Sequence, residues 1–412
     1  MSILNVNEIQ PVGSGNTITV SAADISASSS ALNVNDITAT SGNLSGISTV
    51  STTNLTVNGN NYPSSGSLSS RNRAHNGDMR IDQRNDGAAV TVNTSNAFFP
   101  VDRYWGYGAP SAGVFTLEQV EDAPAGFRHS VRGTVTTTDS SITASRLYVF
   151  EHRIEGNNLQ DLKWGTSDAK TVTLSFWVKI SQTGTYGGVV HNGAQNRSYA
   201  FTWTINAANT WEYKTITIPG DTTGTWVQDN GTGLSIVLIS LGIGSTYETS
   251  NVTTWESAST FGVSGTTYII GNLNATFNIT GVQFETGTVA TPFEHRSYTD
   301  ELARCQRYYG KIRLANQEWI YNESSTANHK WHWVNIPFTM RANPQVDASD
   351  LTMGISVSGL SGTVSSYLPQ SPGDTPGRIS SRVGMTVDSG TARAIYHADG
   401  WNGDYIIVSA EM

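Results

Sequence analysis

The stretch "HADGWNGD" sets a large aromatic residue, Trp401, in a turn beside His397, Asp399, Asn402 and Asp404. Gly, Asp and Asn build tight turns and keep them at the surface. A tryptophan carried there presents a flat π face, and the carboxylates, amide and imidazole around it supply hydrogen bonds. That combination suits the C–H face and hydroxyls of a sugar ring, so these five residues are the expected ligand site. The competing reading makes Trp401 a hydrophobic plug between protomers, because aromatic side chains are most often packing residues. Packing also accounts for Trp331 or Trp333, which share one face of a strand.

Other residues with chemical potential point less far. His329 and His332 in "NHKWHW" face opposite sides of a strand and cannot chelate one ion. Glu118 with Glu121, or Asp399 with Asp404, could pair as glycosidase carboxylates, but sequence does not fix their separation. Solvated surface acids are the plainer reading. Cys305 is the single cysteine, so no intrachain disulfide is available. On a helix face it reads as a small core hydrophobe rather than a nucleophile. There is no G-x-S-x-G elbow, P-loop, G-x-G-x-x-G after a strand, or H-E-x-x-H. The chain is expected to be no enzyme and to use no cofactor or metal.

The elements that must position these residues read as strands. Only 14% of the 412 residues are charged, and Gly, Ser, Thr and Asn abound, which suits short strands and tight turns. A net charge of −9 argues against a nucleic-acid face or an anionic membrane surface. The longest apolar run, Ile236–Gly244, is too short to span a bilayer, and the N-terminus lacks the pattern of a signal peptide.

Three regions follow. Residues 1–70 carry no Lys or Arg and no aromatic before Tyr62; isolated aliphatics recur in units such as "NVNDITA" and "NLTVNGN". One such chain cannot bury a core. The region is either a disordered linker or, as the spacing favours, a β-structured shaft in which identical chains share an axis. Residues 71–297 are strand-dense. Val172, Leu174, Phe176, Val178 and Ile180 alternate with polar residues and Trp177; Tyr199, Phe201, Trp203 and Ile205 share a face; "SIVLISL" reads as a strand covered on both sides. Asn76-Gly77, Asn192-Gly193, Asn230-Gly231 and Asp86-Gly87 signal hairpins. A change of apolar phase at Gly281 predicts a bulge in the closing strand. Together these predict a jelly-roll sandwich. Residues 298–310 form a linking helix with Thr299 as N-cap, Leu302, Cys305 and Tyr309 on one face and Gly310 as its stop. Residues 311–412 read as a small C-terminal β-sandwich. The fold class is all-β.

The phrases "RNRAHNGDMRIDQRNDG", "PVDRYWGY", "RIEGNNLQDLKWGTSDAKTVTLSFWVK", "TWEYKTITIPGDTTGTW" and "ITGVQFETGTVATPFEHRSYTDELARCQRYY" resemble a module of bacteriophage tail fibres and related virion structural proteins. That module is a jelly roll like those of carbohydrate-binding modules. The resemblance covers residues 71–309. The N-terminal style resembles trimeric fibre shafts, and "IIVSAEM" resembles the closing strand of fibre tips.

The resemblance implies a homotrimeric tail fibre of the virion, assembled in the host bacterial cytoplasm. Its N-terminus would meet the baseplate or another tail component. The resemblance names no ligand; with the N-terminus anchored, residues 311–412 lie farthest out, and Trp401 with its polar neighbours there is expected to attach the fibre to host cell-surface polysaccharide, with no nucleic acid and no membrane insertion. The alternative is a purely structural neck, collar or head-decoration fibre. A depolymerase would show a long β-helix with inward acids, and no such repeat is present. Should Trp401 not serve, the jelly-roll face around Trp177 is the next place to look.

Overall fold

The computed structural model describes residues 70–313, except 95 and 109–111, and 337–342 and 405–412. Outside these it describes the short strands Leu55–Val57, Asn60–Tyr62, Ile320–Asn322, His329–Asn335, Gln345–Asp347, Met353–Ile355, Val364–Pro369, Arg382–Asp388 and Tyr396–Ala398. All belong to one compact unit, Thr52–Met412.

Two antiparallel sheets face each other. In chain order their strands are β1 (Val90–Val92), β2 (Phe98–Val101), β3 (Tyr104–Tyr107), β4 (Val114–Val120), β5 (Ser130–Thr137) and β6 (Leu147–Glu155). Then come β7 (Val172–Ile180), β8 (Gly184–Asn192), β9 (Ser198–Ile205), β10 (Glu212–Ile218), β11 (Thr232–Ile243), β12 (Trp255–Glu256) and β13 (Thr276–Thr286). The seven-stranded sheet runs β12-β9-β8-β11-β6-β3-β2 and the six-stranded sheet β10-β7-β13-β5-β4-β1. The β-sandwich expected from the sequence is therefore present.

Period-two alternation builds its core. The five expected apolar residues of β7 are all fully buried, and Tyr199, Phe201, Trp203 and Ile205 of β9 join the same cluster. β11 is buried along both faces: Leu234, Ile236 and Leu238 enter the inter-sheet core, whereas Val237 belongs to a second cluster on the opposite side. The bulge falls where the phase change places it. Thr280 pairs with Trp177 and Gln283 with Ser175, so β13 carries one extra residue around Gly281. Gly281 has φ +64, and a Cβ there would sit 2.8 Å from Phe127 Cζ. Glycine meets both constraints at once.

The hairpin signals divide. Asn192-Gly193 follows β8 and opens the turn into its partner β9. Leu55–Val57 pairs with Asn60–Tyr62, the strand–turn unit expected of the N-terminal repeats. Asn76-Gly77 instead forms a buried loop in which Asn76 Nδ2 donates to the carbonyls of Ile81 and Asp102. Asn230-Gly231 leads into β11, whose predecessor β10 lies in the other sheet. Such dipeptides fix a local turn, not which strands pair across it.

The helix α1 (Tyr298–Gln306) corrects two expectations. Its N-cap is Ser297, whose Oγ accepts from Asp300 N at 3.1 Å, not Thr299. It ends at Gln306, before Tyr309 and Gly310, because the chain there enters a strand, β14 (Tyr309–Arg313). β14 and β15 (Gln345–Asp347) flank β16 (Tyr405–Ser409), with Tyr309 opposite Ser409. Backbone pairing with a segment a hundred residues downstream overrides the local stop signal. α1 is also fastened to the sandwich. Glu301 is buried, accepts from Asn76 N and pairs with Arg296 at 3.1 Å. Cys305 is fully buried, and burial pushes its thiol well up, as suits a packing residue.

Candidate functional site

The expected sugar site falls outside the described residues but for the backbone of His397. Trp401, Asp399, Asn402 and Asp404 lie outside the described residues. His397 sits in the strand Tyr396–Ala398, opposite Gly354, and its side chain is likewise outside them. The same holds for the side chains of His329, His332, Trp331 and Trp333. Of the carboxylate pairs considered, Glu118 binds Arg132 at 2.7 Å and Glu121 binds Arg128 at 2.8 Å. Each acid is matched by its own arginine, so the two do not act as a pair.

Strand register assembles another constellation on the outer face of the seven-stranded sheet. Trp105 lies opposite Glu151, Glu151 opposite Val237, Val237 opposite Val189 and Val189 opposite Ala200. Because the pleat alternates, these five point outward together. The next outward row is Arg153, Ser235, His191 and Ser198. The apolar part of this face cannot stay wet. Residues 244–270 fold back across it, bringing Phe261 and Val263 into a cluster with Val149, Val189, Ala200 and Val237. Thr253 N donates to Ala200 O at 2.8 Å and Ser240 Oγ to Phe261 O at 2.5 Å, which pins the cover to the sheet.

Where the cover stops, a cleft of about 220 Å³ opens. Trp105, Tyr107, Tyr247 and Phe261 supply aromatic walls, and Leu147 and Val149 join them. Glu151, Arg153, Gln195 and Ser259 are its polar side chains. Trp105 stands edge-on to Tyr107 at 6.3 Å and stacks on Phe99 at 6.4 Å. The Arg153 guanidinium lies 4.3 Å over the Trp105 ring, and its Nε donates to Glu151 at 2.9 Å. The cleft thus sets aromatic rings beside donors and acceptors that are already oriented.

Glu151 sits in a low-dielectric position. Its carboxyl is pushed up to about 7, because burial outweighs the neighbouring Arg153. Near neutral pH it changes from hydrogen-bond donor to acceptor. Burial pushes His191 down to about 4 and His152 well below its ordinary value, so both imidazoles are neutral at pH 7.

A second concavity, about 390 Å³, lies on the six-stranded sheet around Trp177. Trp177 and Tyr213 are cross-strand partners with ring centroids 5.3 Å apart, and Phe127 meets Phe293 at 5.0 Å on another side. Its hydrogen-bonding side chains are Trp177, Tyr213, Thr291 and His295, with no carboxylate or guanidinium among the described lining residues. One of them, Thr291, already donates to Glu285 at 2.7 Å. The cleft at Trp105 is better equipped for a polar ligand. Sequence reasoning passed over its residues, although "RYWGY" places Trp105 and Tyr107 on one face and the doubly apolar β11 signals a covered sheet.

No family model matches the sequence, and no curated protein matches it. Solved structures similar to it include the enzymatically active domain of bacteriophage CBA120 tailspike protein 4, at 13% identity and TM-score 0.26. That match covers 52% of this chain and 21% of the tailspike, about a fifth of its length. A family 4 carbohydrate-binding module matches at 15% identity and TM-score 0.25, over 52% of this chain and 99% of the module. The family 11 carbohydrate-binding module of a Clostridium thermocellum cellulosomal cellulase matches at 12% identity and TM-score 0.24, over 50% and 100%. At such scores the likeness assigns no function to this chain.

The Glu151 carboxyl predicts a pH dependence. It protonates at about 7 in the folded chain and near 4.5 without burial. Its protonated form therefore favours folding. The contribution is complete below about pH 4.5, declines as pH rises and is lost above about 7. At about 1.4 kcal/mol per pH unit it amounts to roughly 3 kcal/mol. Asp102, also pushed up to about 7 by burial, titrates in the same window. Urea unfolding between pH 5 and 8 should show stability falling, and Glu151→Gln should remove part of that slope. An unchanged slope in the variant contradicts the assignment.

Proposed function

We propose that this chain is a non-enzymatic glycan-binding component of a phage tail fibre, and that the Trp105 cleft holds the saccharide. The observation that carries the reading is the pairing of aromatic walls with Glu151, Arg153, Gln195 and Ser259 in one cleft. Sugar rings present apolar C–H faces and a belt of hydroxyls, and both need partners at once. A neutral sugar fits best, since Glu151 and Arg153 already pair with each other. Among the described residues Glu151 is the single carboxylate lining the cleft, and hydrolysis by paired carboxylates needs two. The virion setting, attachment through the N-terminus and the homotrimer come from the sequence resemblance and the aliphatic spacing of residues 1–70.

Two measurements test these parts separately. On an array of neutral and acidic oligosaccharides, the chain should retain neutral ones. Tyr247→Ala should weaken the best of them about tenfold or more, because 1.4 kcal/mol, a typical loss for an aromatic contact, is a factor of ten. Trp177→Ala, on the opposite sheet, should leave affinity unchanged. The reverse pattern moves the site to the second concavity. For the trimer, light scattering of the full chain should give three chain masses, and a stable monomer contradicts it.

A further inference from the structure

Arginines stack on the cleft's aromatic wall and on the ring beside it, and those arginines are held by residues near position 411. Arg84 lies 4.3 Å over Phe99, the ring on which Trp105 stacks, and 3.6 Å over Tyr309. Its Nη2 donates to Glu411 Oε1 at 2.5 Å. Arg103 is almost fully buried, lies 3.5 Å over Tyr308, donates to the other Glu411 oxygen and donates through Nη2 to Arg153 O at 2.8 Å. Arg153, stacked on Trp105 itself, donates through Nη1 to Met412 O. Both arginines that cover the Phe99–Trp105 pair therefore reach for the same short segment.

That segment has its own anchors. β16 pairs with β14 along Tyr309–Arg313, and Ala410 N donates to Tyr308 O at 2.7 Å. Arg341 donates to Ala410 O at 2.9 Å and to Glu411 O at 3.1 Å, and also to Asn230 O at 2.5 Å beside β11. Guanidiniums that share one place repel unless a carboxylate lies between them, the more so where one, as Arg103 here, is buried. Glu411 fills that place for Arg84 and Arg103.

We propose that Tyr405–Met412 is a clasp that positions the aromatic wall of the cleft, and that Glu411 is its positioning residue. The proposal rests on reading that cleft as the binding site. Glu411 is not among the cleft's lining residues. It sets the stance of Trp105 through Arg84 and Phe99 on one side and through Arg103 and Arg153 on the other.

The test uses the full chain labelled with 5-fluorotryptophan and followed by fluorine NMR. Trp105→Phe and Trp177→Phe identify two of the eleven tryptophan resonances. In Glu411→Gln the Trp105 resonance should move by more than its linewidth while that of Trp177, on the other sheet, stays in place. Glu411→Asp, which keeps the carboxylate, should return the resonance part of the way. If Glu411→Gln does not fold, Arg84→Lys keeps the charge but loses the stack on Phe99, and the same resonance should move. An unmoved Trp105 resonance in a folded variant overturns the clasp, and so does a shift shared equally by Trp177. The readout needs no sugar, so it decides the clasp even if Tyr247→Ala shows that the cleft is not the saccharide site.

Discussion

A sheet that is apolar on both faces must be covered on both, and the rest of this structure follows from that. The inner face of the seven-stranded sheet is covered by the six-stranded one. Its outer face still exposes Val149, Val189, Ala200 and Val237, whose burial requires a second layer. Residues 244–270 provide it, yet they are too short to cover every strand. The cleft lies over β3 and β6, where the outward residues change from aliphatic to Trp105, Glu151 and Arg153. The cleft is the boundary between an apolar patch and a polar row that is itself buried apart from Arg153.

The C-terminal segment answers a different constraint. Arg84, Arg103, Arg307 and Arg341 crowd the junction of the sandwich with β14 and β16. Arg307 binds Glu155 at 2.6 Å, Tyr308 donates to the same carboxylate at 2.8 Å, and Arg84 and Arg103 share Glu411. Ion pairs of this kind add little net stability over an apolar packing of the same shape, but removing the partner of a buried member, such as Arg103 or Glu155, leaves an uncompensated charge and is strongly destabilising. Such a network fixes one arrangement at the expense of others. Here it ties residues at 84, 103, 155 and 411 into one joint, so the helix is bound to the sandwich on one side and to β14 on the other.

Much of this was readable from the residues. The alternation in β7 and β9, the double burial of β11, the bulge at Gly281 and the buried thiol of Cys305 all follow from local pattern, since each is fixed by pleat, phase or side-chain size. What could not be read depends on pairing across long stretches of chain. Gly310 looks like a helix stop until Tyr309 is seen opposite Ser409. The cleft gathers 105–107, 147–153, 195 and 247–261, four stretches with no shared motif. Trp401 stood out because its neighbours in sequence are polar, whereas Trp105 has its polar neighbours on the adjacent strand. The arginine clasp was invisible for the same reason.

The central claim is that the saccharide lies across the outer face of the seven-stranded sheet. Hydrogen–deuterium exchange of the full chain, with and without a saturating neutral oligosaccharide selected from the array, tests it most directly. Slowed exchange at 104–107, 147–153 and 245–261, with 171–180 and 210–214 unchanged, is the expected result. Protection confined to 311–404, or to the strands around Trp177, contradicts it.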